Sequence, residues 1–319
     1  MTRVRRPEKR PRKTRPKKPR PAKQLGHYLT WSLLWLLMVA SRYLPLSWLV
    51  LPSRGLACLL LKVLPGRKRI ALENLRLALG GETSEEQRQA ILHRSIEGFV
   101  LGIVDLSKAA ADPDRFLAAN VAWEGMEHLE AALRSGRGAV LVGAHFVNFP
   151  LVVSALARTG LPVSSIVRNP SNPYVARFLD QFRDEIGLGY IHDKPKDACI
   201  RRALECLREK GVLFLQIDIN VIAGGVYVDF FGRQVPTYTG PVVLAQRTGA
   251  EVLPIFGVRT GLGQHRAILG PPVALRSTGD KEADLQVNTA LLSKVIEDFI
   301  RRFPEEWWWL HRRWRKAKE

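Results

Sequence analysis

The stretch GAVLVGAHFVNFPLVVSALARTG, residues 138–160, decides the fold. Its first seven residues are small and branched apolar side chains, a run that is typical of a buried strand. His145 and a short loop follow. The segment from Phe149 is then predicted to form a helix that Gly160 ends. The stretch therefore predicts a strand–loop–helix unit with His145 at the end of the strand.

The same alternation continues downstream. Apolar strands are predicted over residues 161–168, 212–218, 224–232 and 250–259, and helices over residues 172–187, 196–211, 240–249 and 281–303. Upstream, residues 67–81 suggest a basic amphipathic helix. Thr83 and Glu86 have the spacing of a capping box that opens a helix to about Lys108. The pattern predicts an α/β fold with a central, mostly parallel or mixed sheet flanked by helices.

The N-terminus differs from the rest of the chain. Of the formal net charge of +19, residues 1–23 carry +11, from twelve Lys/Arg and one acid, and this composition predicts a disordered tail. Residues 24–66 are apolar, interrupted by Arg42 and Arg54, and rich in Trp. We interpret them as a membrane anchor that is interfacial, re-entrant or a tilted span. Residues 67–319 then form one α/β domain. A nucleic-acid arm is the alternative for the tail, but anionic lipid is favoured because the apolar segment follows at once.

Ionisable residues stand at the ends of three predicted strands. These residues are His145, Arg168 and Asp218. Ligands of such sheets gather outside the carboxyl ends of the strands, so the three side chains are expected at one edge. A lone His in this position is more often structural, but the combination supplies a general base, a fixed cation and a carboxylate. Asn148 is predicted to cap the following helix.

Two further features have open interpretations. Gly240, at a predicted helix start, either cradles a phosphate or belongs to a plain helix cap, with Arg233 near it. The aromatic C-terminus, with four Trp from residue 307 to residue 314, suits core packing or an interfacial belt equally. The three cysteines make no disulfide framework. We expect no metal and no cofactor.

Several segments resemble the lauroyl/myristoyl acyltransferases of lipid A biosynthesis, within the wider lysophospholipid acyltransferase group. The resemblance runs from about residue 25 to the C-terminus. It is carried by RKRIALENL, His145-Phe-x-Asn148, RNPSNP, the segment around Asp218 and GGVYVDFFGR, TGPVVLAQRTGAEVLP and the ending FPEEWWWLHRRWR.

This resemblance implies an enzyme of the bacterial inner membrane, acting at its cytoplasmic face. An acyl group would pass from acyl carrier protein, or from acyl-CoA, to a hydroxyl of a glycolipid. His145 would be the general base, and Arg168 and Asp218 match other site positions. Arg233, Gly240 and Asn172 of RNPSNP are expected to contact substrate. The implied partners are membrane lipids and acyl carrier protein, with no nucleic acid.

One position departs from the family signature, which is His, four residues, then Asp or Glu. Residue 150 is Pro, which has no charge with which to orient His145. Three explanations remain: Asp218 or Asn148 takes the orienting role, catalysis is slow, or the chain binds lipid without turning it over. The alternatives to glycolipid acyl transfer are therefore a lysophospholipid acyltransferase and a non-catalytic lipid-binding paralogue.

Overall fold

The structure, a computed structural model, describes residues 21–221 and 224–318. The helices among them are α1 Pro21–Tyr43, α2 Leu46–Val63, α3 Pro65–Leu79, α4 Glu85–Ala111, α5 Pro113–Asn120, α6 Met126–Arg134, α7 Phe149–Ala157, α8 Pro173–Glu185, α9 Lys196–Arg208, α10 Gly240–Thr248 and α11 Lys281–Arg302. The strands are β1 Val121–Glu124, β2 Ala139–Gly143, β3 Val163–Val167, β4 Gly189–His192, β5 Val212–Gln216, β6 Val226–Asp229, β7 Gln234–Thr237, β8 Glu251–Gly261 and β9 Gln264–Leu269.

Seven strands form the central sheet, in the order β1-β9-β8-β2-β5-β3-β4. All neighbours in it are parallel except β8 and β9, which form an antiparallel hairpin. The predicted α/β class with a mostly parallel sheet is confirmed. The strand predicted at 224–232 is shorter, since β6 covers Val226–Asp229, and it lies outside the central sheet. It pairs with β7 in a separate antiparallel hairpin. Sequence reasoning missed β1, β4 and β9.

Strand β2 shows why the sheet forms. All five of its residues are buried, as a parallel strand covered by helices on both faces requires. Val140 and Val142 belong to one hydrophobic cluster, and Ala139 and Leu141 belong to the cluster on the other face. The two-residue period of the strand therefore divides its side chains between two layers of helices.

The N-terminal apolar region forms two helices that pack on the α/β domain. Helix α2 runs unbroken through Pro52 and Arg54, where the sequence had suggested separate pieces. Ser53 and Ala57 are buried, whereas Leu51 is 75% exposed. By length and composition α2 is the one helix in the described part of the chain that is apolar enough to cross a membrane. Residues 1–20, most of the tail predicted over 1–23, lie outside the described residues. Helix α1 begins at Pro21, within the last three residues of the predicted tail.

The long helix α4 begins one residue later than predicted. Ser84, not Thr83, is the N-cap: its hydroxyl accepts from the Gln87 amide, and the Gln87 side chain accepts from the Ser84 amide at 2.7 Å. The predicted pair Thr83 and Glu86 has the same spacing, so the sequence identified the motif but not its register. Helix α4 is the surface on which both α1 and α2 pack.

The C-terminal segment is part of the core. Trp307 and Trp309 are fully buried, and Trp314 is 8% exposed. The Trp307 ring meets the Trp309 ring edge-on at 4.6 Å. The interfacial-belt interpretation of this segment is therefore wrong, and the core-packing interpretation is confirmed.

Candidate active site

The loop after β2 is fixed by the C-terminal segment. The Val147 amide donates to the Glu306 carbonyl at 2.8 Å, and the Trp308 amide donates to the His145 carbonyl at 3.0 Å. Phe146 and Trp307 face each other in an isolated antiparallel bridge. Because backbone bonds hold both sides of this loop, the position from which the His145 side chain projects is fixed.

Asp218, just beyond β5, binds His145 twice. Its Oδ1 lies 2.8 Å from Nδ1 of the ring, and its Oδ2 accepts the His145 amide at 2.8 Å. The indole N–H of Trp307 donates to the same Oδ2 at 2.8 Å. The Asp218 side chain is fully buried, whereas 30% of the His145 side chain is exposed. Bonding at Nδ1 leaves Nε2 as the ring nitrogen for a substrate proton.

The charges of this pair stabilise each other. Burial disfavours the imidazolium, but the charge of Asp218 and its hydrogen bond outweigh burial, so the pKa of His145 is raised above its ordinary value. Burial also opposes ionisation of Asp218, but His145 and its hydrogen bonds hold that pKa well below its usual range. Asp218 therefore stays a carboxylate, which is the form that orients a neighbouring base and stabilises its protonated state.

His145 opens into a cavity of about 380 Å³, which we call the histidine cavity. Arg168 lies on its wall, where its Nε donates to Asp193 at 2.6 Å. Gly240 also lines it, at the start of α10, whose N-cap Thr239 makes no side-chain capping bond. The structure thus brings His145, Asp218, Arg168 and Gly240 to one edge of the sheet.

Asn148 does not serve His145. Its side-chain amide lies 3.2 Å from Nδ1 of His265, and His265 in turn bonds Asp105 at 3.1 Å. Asn148 is the N-cap of α7 by position, but its side chain makes no capping bond. Both expectations for Asn148, a cap and a site residue, are corrected: it belongs to a buried polar network behind the loop.

The other predicted contacts lie apart from His145. Asn172 caps α8, accepting from the amides of Tyr174 and Val175, and its amide donates to the His27 carbonyl at 2.9 Å. Arg233 lies in the turn between β6 and β7, near Glu73, whose pKa is lowered mainly by its hydrogen bond from Arg76 and to a smaller extent by the charge of Arg233. Neither lies on the wall of the histidine cavity, and substrate contact by either residue stays a prediction.

Sequence reasoning missed three C-terminal residues. Trp307 bonds Asp218, as described above. His311 lies 6.2 Å from His145 between ring centroids, and burial lowers its pKa to about 4. Arg313 is buried and donates to the carbonyls of Ile219 and Pro236, which fixes the chain just after Asp218. The available signal was the WWWLHRRWR motif, which places a histidine and three arginines among its tryptophans.

The chain is similar to known enzymes along nearly its whole length. Residues 16–316 match the family model described as bacterial lipid A biosynthesis acyltransferase. A lipid A biosynthesis lauroyltransferase of Escherichia coli (strain K12) is 27% identical over 92% of this chain and 93% of its own length. A lipid A biosynthesis palmitoleoyltransferase of the same strain is 24% identical, over 91% and 92%. A phosphatidylinositol mannoside acyltransferase of Mycobacterium tuberculosis (strain ATCC 25618 / H37Rv) is 29% identical, over 68% and 66%.

The role of Asp218 predicts a measurable change in the pKa of His145. NMR titration of the full chain in detergent micelles, with His145→Gln as the assignment variant, is expected to place this pKa above 6.5. In Asp218→Asn it is expected to fall below 6.5, because burial then acts unopposed. The control is Asp193→Asn, a carboxylate of the same cavity that bonds Arg168 instead. Equal pKa values in the wild type and Asp218→Asn would contradict the pairing.

Proposed function

As this chain is an acyltransferase that belongs to the bacterial lipid A biosynthesis acyltransferase family, we propose that it transfers a fatty acyl group from acyl carrier protein to a hydroxyl of a lipid A precursor or related glycolipid. The observation that carries this proposal is the 2.8 Å bond between Nδ1 of His145 and buried Asp218 at the wall of an open cavity. It supplies an oriented base despite Pro150.

The step follows from that geometry. Nε2 of His145 takes the proton of the acceptor hydroxyl as its oxygen attacks the thioester carbonyl carbon. The tetrahedral intermediate collapses, the carbon–sulfur bond breaks, and the imidazolium returns the proton to the departing thiolate. Asp218 stabilises the imidazolium throughout, which needs Asp218 to stay ionised, and its lowered pKa is consistent with that role.

Two cationic features of the histidine cavity suit the developing charge. Arg168 presents a guanidinium that is fixed by Asp193. The first turn of α10 presents backbone N–H groups and the positive end of the helix dipole. Both line the cavity that His145 lines, and this supports a role for them in holding the oxyanion or a phosphate of the lipid, as preorganised donors do in acyl transfer.

The charge of the chain supports an acidic donor. Beyond residue 23 the chain still carries +8, which favours encounter with acidic acyl carrier protein over a neutral thioester. Acyl-CoA remains the alternative donor. On the acceptor side, the similarity to a phosphatidylinositol mannoside acyltransferase supports a mannosylated phospholipid as a second candidate. A lysophospholipid acceptor and lipid binding without turnover are the remaining alternatives.

An acyl-transfer assay with the purified chain tests the proposal. Lauroyl-loaded carrier protein would be offered with a lipid A precursor that lacks secondary acyl chains, with a phosphatidylinositol mannoside or with a lysophospholipid. Transfer to the first acceptor is expected, and His145→Ala should lower kcat/KM by about 10²- to 10⁴-fold, the usual contribution of a general base. No transfer to any acceptor, with lipid binding retained, would establish the non-catalytic alternative.

Pro150→Glu and Asp218→Asn separate the two ways of orienting the base. Because Asp218 already occupies Nδ1 of His145, Pro150→Glu should change kcat/KM by less than about threefold, and Asp218→Asn should lower it by at least about 10²-fold. A large gain in Pro150→Glu, together with a small loss in Asp218→Asn, would show that the missing family carboxylate limits this enzyme.

We also propose that α1 and α2 lie along the cytoplasmic face of the inner membrane. Trp48, Leu51 and Leu59 are 69%, 75% and 53% exposed, so α2 presents an apolar face to its surroundings. Its opposite side, with Ser53 and Ala57, is buried against the domain, and at its flank Arg54 donates to Glu97 of α4 at 2.8 Å. A full span would have to break that packing and would place the active site opposite its cytoplasmic donor.

Binding to liposomes that contain anionic lipid tests the membrane proposal. Leu51→Lys combined with Leu59→Lys should weaken partitioning by more than about tenfold, since each buried Leu is worth ~1.5–3 kcal/mol. The matched control is Ile200→Lys, which changes a 39% exposed apolar residue on α9 and should have little effect. Equal binding of all three proteins would contradict an α2 contact with the membrane.

A further inference from the structure

A second cavity, of about 370 Å³, lies between α2, α4 and the C-terminal segment. We call it the α2 cavity. Leu60 and Leu61 of α2 form one wall, and Phe99 and Trp308 form the opposite wall with their rings 4.4 Å apart. These side chains are hydrophobic and only partly buried, so the cavity suits an apolar ligand and excludes a charged one from its interior.

The two ends of the α2 cavity have different chemistry. At its edge lie Arg67 and Lys68, both exposed at the start of α3. The Arg67 guanidinium is held there by the Leu310 carbonyl at 3.3 Å. Two cations beside an apolar chamber match a lipid that carries an anionic group. A neutral lipid or a free hydrocarbon would make no use of these two charges.

At another part of its wall the cavity reaches the active site. His311 lines it, and the His311 ring centroid lies 6.2 Å from that of His145. Nε2 of His311 is buried and has no hydrogen-bond partner among the described residues. A buried ring nitrogen without a partner is costly, and this one is available to a polar group of a ligand.

The cavity opens next to the exposed face of α2. Leu64, on its wall, is 45% exposed, and Val63 beside it is 59% exposed and lies outside the wall. The apolar lining is therefore continuous with the apolar surface assigned above to the membrane. A ligand from the bilayer reaches this cavity without crossing water, whereas a chain on a soluble carrier protein does not share that route.

We propose that the α2 cavity binds an acyl chain of the anionic acceptor lipid, drawn directly from the membrane. Its anionic group lies at Arg67 and Lys68, and the reacting part of the lipid lies between His311 and His145. This inference rests on the proposed acyl transfer and assigns its acceptor, not its donor, to this cavity. The two substrates then enter by different routes. The acceptor lipid enters the α2 cavity from the side of α2, and the thioester enters the histidine cavity.

Steady-state kinetics with two neighbouring substitutions test the assignment. Leu64→Trp narrows the cavity, and Val63→Trp adds the same bulk at an adjacent exposed position outside it. Leu64→Trp should raise KM for the acceptor by at least about tenfold and leave KM for acyl carrier protein unchanged. Val63→Trp should change both by less than about twofold. A rise confined to the donor KM, or equal effects of the two variants, would overturn the assignment.

A charge-reversal pair tests the edge of the cavity. Arg67→Glu combined with Lys68→Glu should raise the KM for a phosphorylated acceptor by at least about tenfold, and Arg69→Glu should have little effect. Arg69 is exposed on the same turn but does not line the α2 cavity. Loss of the same size in Arg69→Glu would show a general surface charge effect and would contradict a specific anion contact.

Crosslinking tests the cavity without any need for turnover. Phosphatidylglycerol with a diazirine in one acyl chain, in detergent micelles, should label peptides that contain Trp308 and His311 of the full chain. Labelling there should be lost in Leu64→Trp and kept in Val63→Trp. Adducts restricted to the outer faces of α1 and α2 would overturn the cavity assignment. Labelling of the cavity without acyl transfer to any acceptor would instead refute the proposed function and leave the lipid site standing.

Discussion

The buried carboxylate of Asp218 is the interaction on which the site depends. A carboxylate removed from water is stable only when its oxygens are hydrogen-bonded and a positive partner is near. Here Oδ1 is bonded by the His145 ring, and Oδ2 by the His145 amide and the Trp307 indole. The loop after β2, the end of β5 and the C-terminal segment must therefore adopt their places together. Pro150 does not deprive His145 of a carboxylate partner, because Asp218 follows a different strand.

The sequence was informative where local chemistry decides the outcome. Strand β2 and helix α7 follow from an apolar run, a proline and a glycine within 23 residues, and the carboxyl edge that collects His145, Arg168 and Asp218 follows from sheet topology. Contacts between distant segments had no such signal. The pairing of Asn148 with His265, and of Trp307 with Asp218, depends on how the C-terminal segment and β9 return to the loop. At short range, the sequence predicted the capping box of α4 at Thr83 and Glu86, whereas Ser84 and Gln87 form it. The sequence thus identifies the motif but does not fix which residues make the contacts.

The α1–α2 pair and the active site are parts of one arrangement. Helix α2 contacts α4 on one side and exposes leucines on the other, and α4 also receives the C-terminal segment through the Ser95 hydroxyl and the Trp307 carbonyl at 2.7 Å. The apolar surface of α2 and the α2 cavity therefore adjoin the helix that also bonds the C-terminal segment. Within the C-terminal segment, Trp308 lines the α2 cavity and Trp307 bonds the carboxylate that holds His145.

The most direct measurement is the pH dependence of kcat/KM in Trp307→Phe beside Trp309→Phe. Both tryptophans are fully buried, but the Trp307 indole donates to Asp218 and the Trp309 indole donates to the Pro304 carbonyl at 2.7 Å. Losing the Trp307 donor leaves Asp218 a stronger partner of the imidazolium, so Trp307→Phe should raise the pKa of His145 and move the acidic limb of kcat/KM to higher pH. Trp309→Phe should destabilise the fold and leave the acidic limb in place. Identical pH profiles for the two variants would contradict the account.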